Sequence, residues 1–235
     1  MPMTGCTERT RQNLLLLAWF SPAFPVGGFA FSHGLEWAQE SGAVTSRATL
    51  ETWLADLLRS GSGRTDAILL AGAWRAATQA DIPALTDILD LAAALQPSAE
   101  RFLEASVQGT AFLQVVKAAY PSPALETITA PPLALARLTL PVAAGLCGAA
   151  HGIALEALIV AYLAGFVANL SSAAVRLGIV GQTDGQRIIA ALHPGLAATA
   201  EAASRATLDD LGSATLRADL FSLQHETQYS RLFRS

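Results

Sequence analysis

Leu50-Glu51-Thr52-Trp53-Leu54-Ala55-Asp56-Leu57-Leu58-Arg59-Ser60-Gly61-Ser62-Gly63 is the stretch that decides the fold class. Its apolar residues, Leu50, Trp53, Leu54, Leu57 and Leu58, recur at steps of three and four, the period of a helix with one buried face. Gly61-Ser62-Gly63 then ends the segment. The same pattern extends outward. Thr65 to Ala80 reads as a helix, and Asp81 caps the next one, with Pro83 in its first turn. Ser98 caps a longer helix carrying Phe102, Leu103, Val107, Phe112 and Val116, which Pro121 and Pro123 terminate. Pro131-Pro132 breaks the chain again. Pro141 starts or kinks the following helix, and Gly152 separates that from the apolar helix after it. Thr183 or Asp184 caps a helix through Leu192, stopped by His193-Pro194-Gly195, and a last pair covers 196–211 and 216–233. Convincing period-2 strands are absent. The prediction is one all-α domain over 1–235, a bundle of about eight to ten helices with a docking tail at 216–235.

Composition narrows the function classes. Hydrophobic residues make up 52% of the 235 and charged residues 14%, far too apolar for disorder and enough for a real core. The fifteen basic residues never form a run and the net charge is −4, which argues against nucleic acid. The sole lysine, Lys117, is followed by Ala118, so no phosphate loop ending in Gly-Lys-Ser/Thr exists. G-x-G-x-x-G, G-x-S-x-G, H-E-x-x-H and C-x-x-C are also missing. Two cysteines, Cys6 and Cys147, suggest no disulfide framework, and a reducing cytoplasm is the expected compartment. Arg9 and Arg11 before Leu14–Phe20 mimic a secretory signal. Glu8 interrupts the basic region and no cleavage site follows, so a buried first helix is expected. Ala157 to Val175 approaches the length and apolarity of a membrane span, but a central helix of a soluble bundle is the expected reading, since its small residues also permit close helix packing.

Four groups of residues carry candidate chemistry. Cys147 and His151 lie four apart on one helical face, the spacing of metal ligands; a buried thiol beside a hydrogen-bonding histidine is the structural alternative. Ser21–Glu36 holds Pro22, Pro25, Gly27 and Gly28, a rigid loop whose Phe24, Phe29 and Phe31 must be buried or must bind something. His33 and Glu36 resemble a base and an acid, but no nucleophile accompanies them. Arg176–Gln186 is a glycine-rich turn, either a connector or a recognition loop with Arg176 at its edge. Finally, His225–Ser235, read as a helix, puts His225, Tyr229, Leu232 and Phe233 on one face with Arg231 and Arg234 opposite. Such a tail is built to dock, on its own domain or on a partner.

Three of these blocks resemble urease accessory protein F. Pro25, Gly27, Phe29, Ser32, Gly34, Leu35 and Glu36 match P-x-G-x-[FY]-x-x-S-x-G-L-E, and the tail matches H-E-x-x-Y-S-R-L with a short aromatic ending. The middle turn departs from V-P-L-[GS]-Q, with Ile179 where the family has proline. The resemblance implies a non-enzymatic scaffold of urease maturation that dimerises. It would bind accessory protein D (H in some organisms) and recruit the nickel-carrying GTPase, accessory protein G, to apo-urease. On that reading Tyr229, Arg231, Leu232 and Phe233 anchor accessory protein D/H. Arg176 and Gln182 face the GTPase, as a gate or as a finger that modulates hydrolysis. Pro25, Gly27, Ser32, Gly34 and Glu36 form the structural motif. No cofactor is stably held; nickel is handled by the complex. The alternatives are a metallochaperone binding nickel through Cys147 and His151, and a membrane-associated helical protein.

Overall fold

The computed structural model describes residues 7–235. Among them the α-helices are α1 (Glu8–Trp19), α2 (Leu35–Glu40), α3 (Arg47–Ser60), α4 (Ser62–Gln79), α5 (Ile82–Ala94), α6 (Ala99–Ala119), α7 (Pro123–Ile128), α8 (Leu140–Ala150), α9 (Leu155–Arg176), α10 (Gln182–Arg205) and α11 (Leu216–His225), with no strand. The two six-residue pieces, α2 and α7, are under two turns long and join longer rods. Cys6 lies outside the described residues.

Local chemistry sets most boundaries. Ser46 and Thr49 form a reciprocal capping box at the start of α3. The side chains of Asp81 and Ser98 accept from Ala84 N (3.0 Å) and Arg101 N (3.1 Å), capping α5 and α6. Gly152, at φ +66°, turns the chain between α8 and α9 in the left-handed region that favours glycine.

A single hydrophobic cluster ties these helices together, with α4 at its centre against α8 and α9. The α4–α8 approach is so close that a Cβ on Gly145 would stand 2.6 Å from the Leu70 carbonyl oxygen. Only glycine lets the two backbones meet there. Helix α9 is long and apolar enough to cross a membrane by length and composition, but half of its most apolar window is buried inside the fold. It serves here as a core rod, and Arg176 sits at its end.

Four expectations need correction. Helix α10 does not stop at His193-Pro194-Gly195; it runs on to Arg205. These three residues face solvent, while Ile188, Leu192, Leu196, Ala200 and Ala203 hold the opposite face in the core, so packing outweighs the missing N–H. Its first turn is capped by neither Thr183 nor Asp184, since Gly181 is the cap residue. For helix α6 the sequence predicts only a span and an apolar content, and of the apolar residues named it buries Phe112 and Val116. Leu103 and Val107 project outward at 38% and 40% exposure, whereas Arg101, Glu104, Ala105, Gln108 and Phe112 turn inward. Helix α1 is only half sunk: Leu15 and Trp19 are buried, and Leu14 and Leu17 are exposed. The fourth correction, the end of α11, defines the site.

Candidate functional site: the docked tail

Helix α11 ends at His225, and residues 226–235 leave the helical path. The predicted single face of His225, Tyr229, Leu232 and Phe233 therefore does not exist. The reason is a stronger set of partners for the backbone. The Glu36 carboxylate accepts from Leu232 N (2.6 Å) and Phe233 N (2.9 Å). Arg234 N donates to the Ala30 carbonyl (2.8 Å), and Ser32 N donates to the Ser235 carbonyl (2.7 Å), which the Ser32 hydroxyl also reaches. Hydrogen bonds to an ionised acceptor outweigh ordinary amide–amide ones. The tail is thus paired, through its main chain, to the loop that carries the first motif.

That motif now has a physical account. Gly27 and Gly34 hold φ of +76° and +77°. Gly34 also faces α11, where a Cβ would lie 3.1 Å from Ser222 N. Pro25 is exposed and only shapes the loop. Ser32 and Glu36 are buried and hold the tail. Of the three loop phenylalanines, Phe31 is buried, Phe24 packs tilted on Phe112 at 5.2 Å, and Phe29 is 71% exposed.

Around Glu36 runs a buried polar network. His225, fully enclosed, places Nε2 3.1 Å from Glu36 and Nδ1 2.6 Å from Glu100, whose other oxygen accepts from Arg231 (2.6 Å). Glu226 reaches back to the free amide of Ala99 at the start of α6 (2.8 Å). Gln228 bonds Glu40. Beneath this, Glu104 pairs with Arg101 and accepts from the Ser235 hydroxyl (2.6 Å). Burial by itself would raise the Glu104 carboxyl, but the Arg101 guanidinium and the bonds from His33 and Ser235 hold it well below the usual carboxylate range. Burial and the same Arg101 push His33 down to about 4, so it is neutral at pH 7 and its Nε2 pairs with Ser62 at 2.7 Å. His33 is thus committed to Ser62, and Glu36 to the tail.

Beside this network the first loop roofs a cavity of about 220 Å³, walled by Phe20, Phe24, Phe112 and Phe166. Asp66 lines it, and its carboxylate accepts from the Tyr162 hydroxyl at 2.8 Å. Burial raises that carboxyl from 3.8 to about 6. An acid raised on folding is penalised when ionised, so this contribution is most favourable below pH 3.8 and is lost as pH rises through about 6. Asp66→Asn is therefore expected to stabilise the protein at neutral pH by about 3 kcal/mol and to flatten stability across that window. Urea unfolding over a pH series measures both.

Arg176 is where the separate blocks meet. Its guanidinium lies 3.9 Å from the Phe29 ring and 4.4 Å from the Phe233 ring, and it donates to the Phe29 carbonyl at 2.6 Å. The first loop, the end of α9 and the tail thus share one stacked contact. One buried nitrogen of the guanidinium finds no hydrogen-bond partner among the described residues, and burial lowers the pKa of the group. Gln182, the first residue of α10, is exposed nearby in sequence. In the tail, Phe233 is buried, Arg231 half-exposed on Glu100, Leu232 63% exposed and Tyr229 wholly exposed.

Cys147 and His151 do share one end of α8, but the thiol is enclosed and the imidazole is already hydrogen-bonded. The thiol is fully enclosed and burial raises its pKa. The two histidine nitrogens face the carbonyls of Cys147 (2.8 Å) and Tyr120 (2.9 Å). Glu100, Arg101, Glu104 and Asp66 were not singled out from the sequence. The signal existed for the α6 residues: Arg101, Ala105, Gln108, Phe112 and Val116 follow one helical register, which placed charge on a core face.

Fold and site together define an all-helical protein whose own end is docked, through buried carboxylates, on its first loop. The family model UreF matches residues 44–193. The chain is 51% identical to the urease accessory protein UreF of Bradyrhizobium sp. (strain BTAi1), over 94% of this chain and 90% of that one. It is 50% identical to that of Rhodopseudomonas palustris (strain BisB5), covering 97% and 93%, and 52% identical to that of Methylorubrum populi (strain BJ001), covering 94% and 98%. The chain belongs to the UreF family.

Proposed function

We propose that this protein is a cytoplasmic, non-catalytic accessory factor of urease maturation. It works as a dimeric scaffold that binds accessory protein D/H through its tail and receives the GTPase, accessory protein G, near Arg176 and Gln182. Apo-urease is the final client. Nickel is handled by the assembled complex, with no cofactor resident in this chain. The relatives' role in urease maturation supports the general reading.

One observation carries the finer one. Tyr229 and Leu232 are exposed although the backbone on either side of them is anchored. A rigid tyrosine and leucine held out in water form a small ready-made hot spot. The stacked, hydrogen-bonded state of Arg176 favours a gating role over a finger, because a finger must be free to enter another protein's site.

The test exploits the division between anchoring and displayed residues. Tyr229→Ala combined with Leu232→Ala is expected to weaken binding to purified accessory protein D at least about thirtyfold, the loss of roughly 2 kcal/mol, with the thermal midpoint unchanged. Undiminished binding in a surface-resonance or pull-down assay would remove the tail from the interface.

A further inference from the structure

The cavity beneath the first loop has two kinds of lining. Its walls are aromatic: Phe20 stacks on Phe112 at 5.9 Å, Phe24 tilts onto the same ring at 5.2 Å, and Tyr162 meets Phe20 edge-on at 6.0 Å. At about 220 Å³ it exceeds the roughly 150 Å³ that encloses a benzene molecule. Pro22, Phe29 and Ser172 at its rim are exposed, so it opens to solvent between the loop and α9.

The other lining accepts hydrogen bonds. Asp66, 9% exposed, receives only the Tyr162 hydroxyl among the described residues and joins no ion pair there. An ionised carboxylate has about four acceptor sites, so most of its capacity is unused. Arg101 is committed to Glu104, and His33 to Ser62, so neither cancels the Asp66 charge. Two carboxylates, Asp66 and Glu104, thus stand against one guanidinium, and the surplus charge of the lining is negative. The Gln108 amide donates to Glu104 at 3.4 Å, which leaves its carbonyl oxygen as a further acceptor. A Cβ on Gly28 would stand 3.4 Å from that oxygen and 3.7 Å from the Asn169 side-chain oxygen, so the two point to one spot under the loop.

We propose that this cavity binds a small organic cation: an ammonium on a single-ring or branched apolar body, with the ammonium on the side of Asp66 and the amide oxygens and the body against the phenylalanines. An ammonium supplies three donors and the missing positive charge, and aromatic rings attract it as well. A neutral molecule of the same shape would leave the carboxylate with its single donor, and an anion would be repelled. This assignment is independent of the roles proposed for the tail and for Arg176.

The probes are benzylamine and its neutral counterpart of the same shape, benzyl alcohol, titrated into the full-length protein near neutral pH and read by saturation-transfer NMR. The benzylammonium ion is expected to bind at least about tenfold more tightly than the alcohol. Asp66→Asn keeps the shape of the side chain and removes its charge; it should erase that preference while the alcohol binds as before. Ala168→Leu narrows the cavity from the α9 side and should weaken both probes. Each variant is compared at parental helical content by circular dichroism. Should Asp66→Asn misfold, the preference of the parent protein and its loss of affinity in Ala168→Leu decide together. Equal affinity for amine and alcohol, binding of neither below about 10 mM, or amine binding undiminished in Asp66→Asn overturns the assignment.

Discussion

Glu104→Ala is expected to destabilise the protein by about 3–5 kcal/mol, because it strands Arg101 as a buried charge without its counter-ion. Arg101 is 5% exposed and Glu104 6%, so water cannot make good the loss. The substitution also removes the acceptor of the Ser235 hydroxyl. Replacing both partners by apolar residues, Arg101→Met with Glu104→Leu, should restore much of the stability, since no bare charge then remains. Denaturant titration measures the effect, and a single variant as stable as the parent would mean the pair carries no net weight. The sign with pH follows from the lowered Glu104 carboxyl. Its stabilisation is complete above the ordinary carboxylate value of 4.5 and is lost as pH falls through the depressed one.

Arg176→Ala is expected to abolish urease activation in a reconstituted system while helical content stays at the parent level. The guanidinium touches Phe29, Phe233 and the Phe29 carbonyl at once, so its removal unties three segments at the proposed GTPase-facing surface. The intramolecular loss alone should be modest, about 1–2 kcal/mol for a half-exposed stack and one charged hydrogen bond. The functional loss should be far larger if the surface is read by the GTPase. Arg176→Lys keeps the charge but forfeits the planar stack, and should rescue little. Full activation in Arg176→Ala would show that the meeting of loop, helix and tail is purely structural.

The helices were legible because their signals are local: the apolar period of α3, the Ser98 and Asp81 caps, and the prolines near the starts of α5 and α8; the short α7 was missed because Pro123, its first residue, reads as a terminator of α6. Pro194 misled because its cost depends on which side of the helix faces solvent, a property of the assembled fold. The tail failed differently. Its side-chain pattern fits a helix, but its conformation is decided by Glu36, almost two hundred residues earlier in the chain. Nothing within 225–235 announces that partner. The motif glycines could be read as turns, yet the need for Gly34 comes from the backbone of Ser222 across the interface. Burial of Arg101 and Glu104 was readable in register but runs against the ordinary placement of charge.

Glu36 grips the amides of residues 232 and 233, and amides are common to every amino acid except proline. Mooring is therefore indifferent to what stands at position 232, and Tyr229, pointing wholly into solvent, takes no part in it. On the proposed function, a lineage could exchange both displayed side chains to follow a drifting partner while the segment keeps its berth. The recognition proposed for the tail would then evolve at positions where the fold itself has almost nothing at stake.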